Sequence, residues 1–544
     1  MAGLVTAARA AEMGLDVTVV EQGRDRRYPC NSRYSGGILH FAYNDVRSEP
    51  ETLAAVAKLA MGEDANEDLI TASAGAAGPA LDWLSRFDTR FVRSSPVEWH
   101  RWTLAPPRPL KPGLDFPGSG PDTLLETLSG TVRALGGEIL LGHRATDLSR
   151  DGDRWVLVAD GEEGSRRLGA RYAVLADGGF QGDRTLVQRY ISQRPDLLVQ
   201  RGAGTGAGFA VRMAGKLGLG LTGMDRFYGH VLSRDSLTNP GLWPYPQLDP
   251  LAANGIVVGP DGLRFADEGR GGVYIANEIA KLPDPSAAWA ILDEAIWGSA
   301  GRQSLYPPNP HLLDAGGTLL RAETLDELAR ACALDPSVLA ETVFEYNRAV
   351  EAGTDSLAHL DVPRSRNALA IRGPYIAVPI AAGITNTMGG LAVDANARVI
   401  DRNGNPVEAL YAVGASAGGL EGGRNVGYVG GLMRALTSGL LAADDLGRVS
   451  GYIGQSSRNE PSSENAVAPR SRPRPTVLRV LAHRPFAISA TTSAIAFAIV
   501  LVLAWPIIAN LALLPAAGIG AIVFVLAKAF CELAAIILDV LVPG

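Results

Sequence analysis

The first twenty-one residues constrain the fold more tightly than any other stretch of the chain. Gly3-Leu4 leads into a run of small and apolar residues, Val5–Gly14; the β-branched run Asp16–Val20 follows, and Glu21 closes it. A small-residue run ended by glycine reads as a helix, and a short Val/Thr run reads as a strand. Glycine at the start of such a helix lets it lie close against a strand. A carboxylate at the end of the next strand is placed to accept hydrogen bonds from ribose hydroxyls. Together these are the second half of a dinucleotide-binding fingerprint. The apolar strand and the first two glycines of GxGxxG are absent from this sequence; an in-frame start further upstream would supply them.

The rest of residues 1–450 continues in the same α/β idiom. Arg171–Ala176 (RYAVLA) reads as a strand beside a glycine turn, and Gly118–Gly136 and Thr205–Gly218 read as helices bounded by glycine. The chain holds 63 glycines in 544 residues, many in short clusters, as expected where backbone runs close to a ligand. Fifty basic against 57 acidic residues leave a net charge of −7, which argues against a nucleic-acid partner. Cys30, Cys332 and Cys531 lie too far apart for a disulfide scaffold, a zinc ribbon, a cysteine-ligated iron–sulfur cluster or a CxxCH haem site, and no metal site is expected.

Further pieces occur in a telling order: Asn31–Gly37 (NSRYSGG), Ala176–Phe180 (ADGGF), TGAGFAVRMAG, GLRFADEG, TMGGLAVDANARVID, and Ala409–Gly419 (ALYAVGASAGG). Gly430-Gly431-Leu432 then opens a small-residue helix. Over about residues 1–446 the sequence resembles the FAD-dependent fumarate reductase/succinate dehydrogenase flavoprotein superfamily, nearest the tricarballylate dehydrogenase and fumarate reductase-like branch. The resemblance implies a Rossmann-like FAD-binding domain, 1–222 and 375–446, with an inserted α+β capping domain, 223–374. It implies FAD contacts from Gly3, Glu21, Asn31, Ser32, Ser35, Gly36, Gly37, Ala145, Ala176, Gly178, Gly414, Gly430, Gly431 and Leu432. In such a fold the last glycine-rich helix aims its N-terminal amides at the flavin, where they favour the anionic reduced form.

By the same resemblance hydride passes between flavin N5 and a substrate carbon, and an arginine delivers the proton. Arg270, after GLRFADE, is the matching residue, with Glu268 as a proton relay. His230 and Arg424 stand near carboxylate-holding positions. Three departures weaken the dicarboxylate pattern: Arg270 is followed by Gly271, Asn386 precedes TMGG where a histidine is usual, and Ala415 replaces an acidic residue. The expected substrate is a small molecule bearing a carboxylate. An alternative is a ketosteroid enzyme with a tyrosine acid/base pair in place of the cationic set, its pocket lined by Trp102, Phe227, Tyr228, Trp243 and Tyr245. Another is a non-catalytic membrane protein with a degenerate nucleotide site.

From Phe486 to Ala527 no residue is charged. A run of that length predicts two transmembrane helices, about 486–509 and 517–541, broken near Pro515, Gly518 and Gly520. With 447–480 as linker and 481–544 as a membrane hairpin, the arginines at 470, 472, 474, 479 and 484 place the flavin domain in the cytoplasm. The expectation is a multi-pass cell-membrane flavoprotein passing electrons to a quinone or partner redox protein.

Overall fold

The computed structural model describes residues 1–451. Its first helix, Ala2–Glu12, packs its alanine-rich face against the helix Gly431–Val449. The two approach so closely that a Cβ on Gly439 would stand 3.0 Å from the Ala2 carbonyl oxygen. The strand Thr18–Val20 pairs in parallel with Glu138–Leu140, and Ala173–Leu175 pairs in parallel with Leu410–Ala412 of the strand Pro406–Ala412. Between the first pair runs the helix Gly120–Ala134, with Pro121 in its first turn where no backbone donor is needed. These elements gather one hydrophobic core around Val5, Leu125, Leu410 and Leu436.

A second core surrounds a six-stranded sheet centred on the long strand Tyr375–Thr387. That strand is buried along most of its length, as its near-continuous apolar sequence requires. It pairs antiparallel with Phe227–Ser233, Trp289–Asp293 and Leu320–Ala322, and parallel with Val199–Gln200. Its pairing with Phe227–Ser233 carries a bulge. Tyr228 faces Asn386 and Gly229 faces Ile384, so Thr385 has no partner on the facing strand. Only glycine fits at 229, because a Cβ there would lie 1.9 Å from the Gly383 carbonyl oxygen.

Helix boundaries differ from the sequence reading where glycine has local work. The helix expected from Thr205 begins at Phe209. Gly206 passes so near Gln181 that a Cβ would meet its Nε2 at 2.3 Å, and Gly208 is left-handed at φ 70°. That segment cannot be helical. At the other end, the helix placed before the linker runs on past residue 446 to Val449.

The membrane location is corrected. Among the described residues no helix is long and apolar enough to cross a membrane, and the hairpin at 486–509 and 517–541 lies outside the described residues.

Candidate active site and cofactor cleft

A cleft of about 2250 Å³ runs through the described residues. Drug-sized pockets are roughly 300–1000 Å³, so this one has room for a dinucleotide and a second molecule together. Glu21 stands on one wall. Its carboxylate accepts the Gly23 N–H at 2.7 Å, and burial raises its pKa above the ordinary carboxylate value. Gly3 lies in the first turn of the first helix, where a Cβ would be 3.0 Å from the Ala176 Cβ. Gly178, at φ 88°, lines the cleft with no atom within 4 Å of where a Cβ would stand. This is a backbone edge left open to an occupant.

The segment Asn31–Gly37 is locked in place by its one fully buried cation. Arg33 pairs with Asp122 and, at 3.2 Å, with Glu126, both on the helix Gly120–Ala134. Asn31 reaches across to the bulge: its Nδ2 donates to the Thr385 carbonyl at 2.8 Å, and its Oδ1 accepts the Ala203 N–H at 2.8 Å. Ser32, Ser35, Gly36 and Gly37 follow along the cleft wall. Ala145, Ala176, Gly414, Gly431 and Leu432 line it as well. Gly430 does not. It caps the helix Gly431–Val449 from behind, 2.4 Å from the His40 carbonyl oxygen at its would-be Cβ. That helix points its first turn into the cleft, with the partial positive charge of its N-terminal end. A carboxylate near the first strand end, open glycine backbone and a helix N-terminus in one groove are a donor and acceptor set that fits FAD.

The proposed catalytic residues separate. His230 lines the cleft, mostly buried, between two partners. Its Nδ1–H donates to Asp249, and its Nε2 lies 3.0 Å from the Tyr228 hydroxyl. Asp249 is anchored in turn by the Val231 N–H at 2.7 Å. The carboxylate acceptor fixes the proton on Nδ1, so neutral Nε2 accepts from the Tyr228 hydroxyl. Burial lowers the His230 pKa, Asp249 opposes that shift, and the Arg201 charge adds to it.

Tyr228 stacks on Tyr428 with ring centroids 3.7 Å apart. The Tyr428 hydroxyl accepts the Gly431 N–H at 2.6 Å, which leaves its own proton to donate. Burial raises the pKa of both phenols, so both are protonated at neutral pH. Arg270 also lines the cleft. Its Nε donates to Asp267 at 3.3 Å and its NH1 to Asn425 at 3.1 Å, with Tyr274 below the guanidinium.

Arg424 is not brought to this site. Its guanidinium is 70% exposed and faces Glu63 at 3.9 Å; the residues of that segment that line the cleft are Asn425, Val426, Gly427 and Tyr428. The tight turn at Gly422 and Gly423, both at positive φ, sends Arg424 outward. Glu268 is not a relay to Arg270. It is fully buried and bound by Arg364 at 2.8 Å, Arg264 Nε at 3.0 Å and the Val257 N–H at 2.9 Å. Of the aromatic residues considered, Tyr228 and Tyr245 line the cleft. Phe227 is core, Trp102 donates to Asp45, and Trp243 donates to the Gln200 carbonyl. The sequence did carry a signal for Tyr228 beside His230, since residues two apart on a strand share a face. It carried none for Asp249.

Comparison with known proteins agrees with the cleft. The family model described as "FAD binding domain" matches residues 1–427. A probable fumarate reductase of Shewanella frigidimarina is 28% identical over 316 residues, 57% of this chain and 50% of that protein. A 4-oxocyclohex-2-ene-1-carboxylate 5-dehydrogenase of Sinomonas cyclohexanicum is 28% identical over 342 residues, 56% of this chain and 55% of that protein. The chain thus spans about half the length of the curated relatives it matches. Among solved structures, a 3-ketosteroid-Δ4-(5α)-dehydrogenase from Rhodococcus jostii superposes with a TM-score of 0.59 at 21% identity, covering 81% of this chain and 94% of that one. The chain belongs to the FAD-binding-domain family, and proteins named as fumarate reductases are among its relatives.

Proposed function

We propose that the chain oxidises or reduces the carbon–carbon bond next to a substrate carbonyl, with Tyr228, His230 and Asp249 moving the proton. The observation that carries this is the chain of contacts from the Tyr228 hydroxyl through His230 to Asp249, in the same cleft as the nucleotide-binding wall. When bound, FAD supplies the two-electron partner for hydride. In the oxidative direction Tyr228 takes a proton from the carbon beside the carbonyl while passing its hydroxyl proton to His230 Nε2. Asp249 stabilises the imidazolium that results. In the reductive direction the same groups return the proton to carbon. Tyr428 donates its free hydroxyl proton to the carbonyl oxygen, which stabilises the enolate-like charge that develops there. The Sinomonas relative, named for a cyclic ketone substrate, supports the carbonyl.

A second reading is favoured by Arg270, which also lines the cleft. It makes Arg270 the proton donor to an unsaturated carboxylate. Two variants separate the readings. Tyr228→Phe removes the transferable proton but keeps the ring stack, and its turnover should fall at least about a hundredfold with flavin content unchanged. Arg270→Lys keeps charge and loses the planar fork. If Arg270→Lys shows the large loss and Tyr228→Phe does not, the carbonyl reading is wrong.

A further inference from the structure

Two buried arginines in the cleft have no part in the relay. Arg108 is 4% exposed and Arg201 8% exposed, and both line the cleft. Their guanidinium carbons stand 6.0 and 5.9 Å from the centroid of the Tyr245 ring. Arg108 NH1 donates to the Tyr34 carbonyl at 2.9 Å, and Arg201 NH1 donates to Thr385 Oγ1 at 2.9 Å. The Nε of each is buried without a hydrogen-bond partner, and neither side chain forms an ion pair among the described residues. A guanidinium has five N–H donors and keeps its charge in any protein interior. Two such cations beside one ring, out of water and without a counter-ion, are costly, and an anion in the cleft lowers that cost.

The fold places this pair beside the reaction centre. Arg201 follows the short strand Val199–Gln200, and its stem crosses Gly383 of the central strand; a Cβ there would lie 2.5 Å from Arg201 Cδ. On the opposite side of Gly383 the facing residue is His230. Arg201 and His230 therefore flank one backbone position, and the side-chain-free glycine lets the arginine lie there. The unpaired bulge residue Thr385 supplies the hydroxyl that holds it. Two other arginines of the cleft wall have carboxylate partners of their own: Arg270 has Asp267 at 3.3 Å, and Arg434 has Glu421 at 2.7 Å.

We propose that Arg108 and Arg201, on the Tyr245 ring, form a subsite for a carboxylate carried by the substrate, so that the molecule is a keto acid. The carbonyl end lies at Tyr228 and Tyr428, and the carboxylate lies at the arginine pair. This rests on the carbonyl reading above, and its test is a binding measurement that does not depend on turnover. Arg108 also touches Tyr34, in the segment expected to hold the cofactor, so the other source of an anion is a cofactor phosphate; flavin content distinguishes the two.

The probes are 3-oxocyclohexanecarboxylate and its methyl ester, titrated into the FAD-loaded full chain and followed by flavin absorbance. The acid should bind at least about tenfold more tightly than the ester, the scale of one or two charge-assisted hydrogen bonds. Arg108→Gln and Arg201→Gln should each reduce that preference to about threefold, and the double variant should abolish it. Ester binding and flavin content should not change. Arg201→Lys serves where a glutamine variant does not fold; its preference should fall about threefold, because the fork is lost. Equal binding of acid and ester, a preference that survives the substitutions, or flavin lost from the variants overturns the subsite. Binding of neither probe overturns the subsite and the carbonyl reading together, whereas a fully active Tyr228→Phe with an intact acid preference overturns the carbonyl reading alone.

Discussion

Charge is informative in this molecule only where burial makes it so. Arg424 and Arg270 lie 154 positions apart and touch through the Arg424 carbonyl at 3.3 Å, yet their guanidinium groups have different surroundings. The exposed Arg424–Glu63 pair is screened by water, and such pairs contribute about 0–1 kcal/mol. Arg424→Ala should leave KM and turnover within about twofold and shift stability by no more than about 0.5 kcal/mol, read by steady-state kinetics and denaturant melts. Glu268 is the contrasting case. Removing its charge leaves the buried Arg364 and the mostly buried Arg264 without their carboxylate. Glu268→Gln should therefore destabilise the protein by about 3–5 kcal/mol. A denaturation midpoint unchanged from wild type would show that the cluster is not holding its part of the sheet core.

The helix Gly431–Val449 connects several of these parts. Its small face packs on the first helix, its first turn faces the cleft, and Tyr428 just ahead of it is tied to the Gly431 N–H. Gly430 makes this entry possible. At φ 116° it occupies a conformation that L residues rarely adopt, and any Cβ would drive into the His40 carbonyl oxygen. Gly430→Ala should displace the start of the helix and lower FAD content in the purified protein. Normal flavin content in that variant would show that the helix start is free to shift without cost to the cofactor.

Across the molecule, the cleft wall gives stability a pH dependence of known sign. Burial, with a smaller contribution from His100, pushes the His40 imidazole down to about 3 from an ordinary value of 6.5. Below pH 6.5 the unfolded chain therefore binds a proton at this position that the folded protein does not. This stabilising contribution is complete above 6.5 and is lost as pH falls towards 3, at about 1.4 kcal/mol per pH unit once His40 is protonated in the unfolded chain. Paired melts of wild type and His40→Gln isolate the group: the difference between them should change with that slope between pH 6 and 5. A constant difference would mean that His40 is not buried neutral in the folded protein.

The parts of this protein legible in its sequence are those set by local backbone demand. Gly3 in the first turn of a closely packed helix, the β-branched strand ending at Glu21, the NSRYSGG segment and the glycine pair that opens the helix Gly431–Val449 each need a particular residue type at a particular place. Their order along the chain was enough to mark the flavoprotein family. The groups assigned to chemistry were not legible in that way. Asp249 reaches His230 from 19 positions away, and Arg108 and Arg201 meet Tyr245 from separate loops and strands. Arg424 was placed by motif spacing, but the turn at Gly422 and Gly423 sends it to solvent. The His230 and Arg201 positions depend on which strands lie beside Tyr375–Thr387, and on a single extra residue at Thr385 in its pairing with Phe227–Ser233. Strand partnership and register are settled by packing between residues distant in sequence, and local residue preference does not encode them.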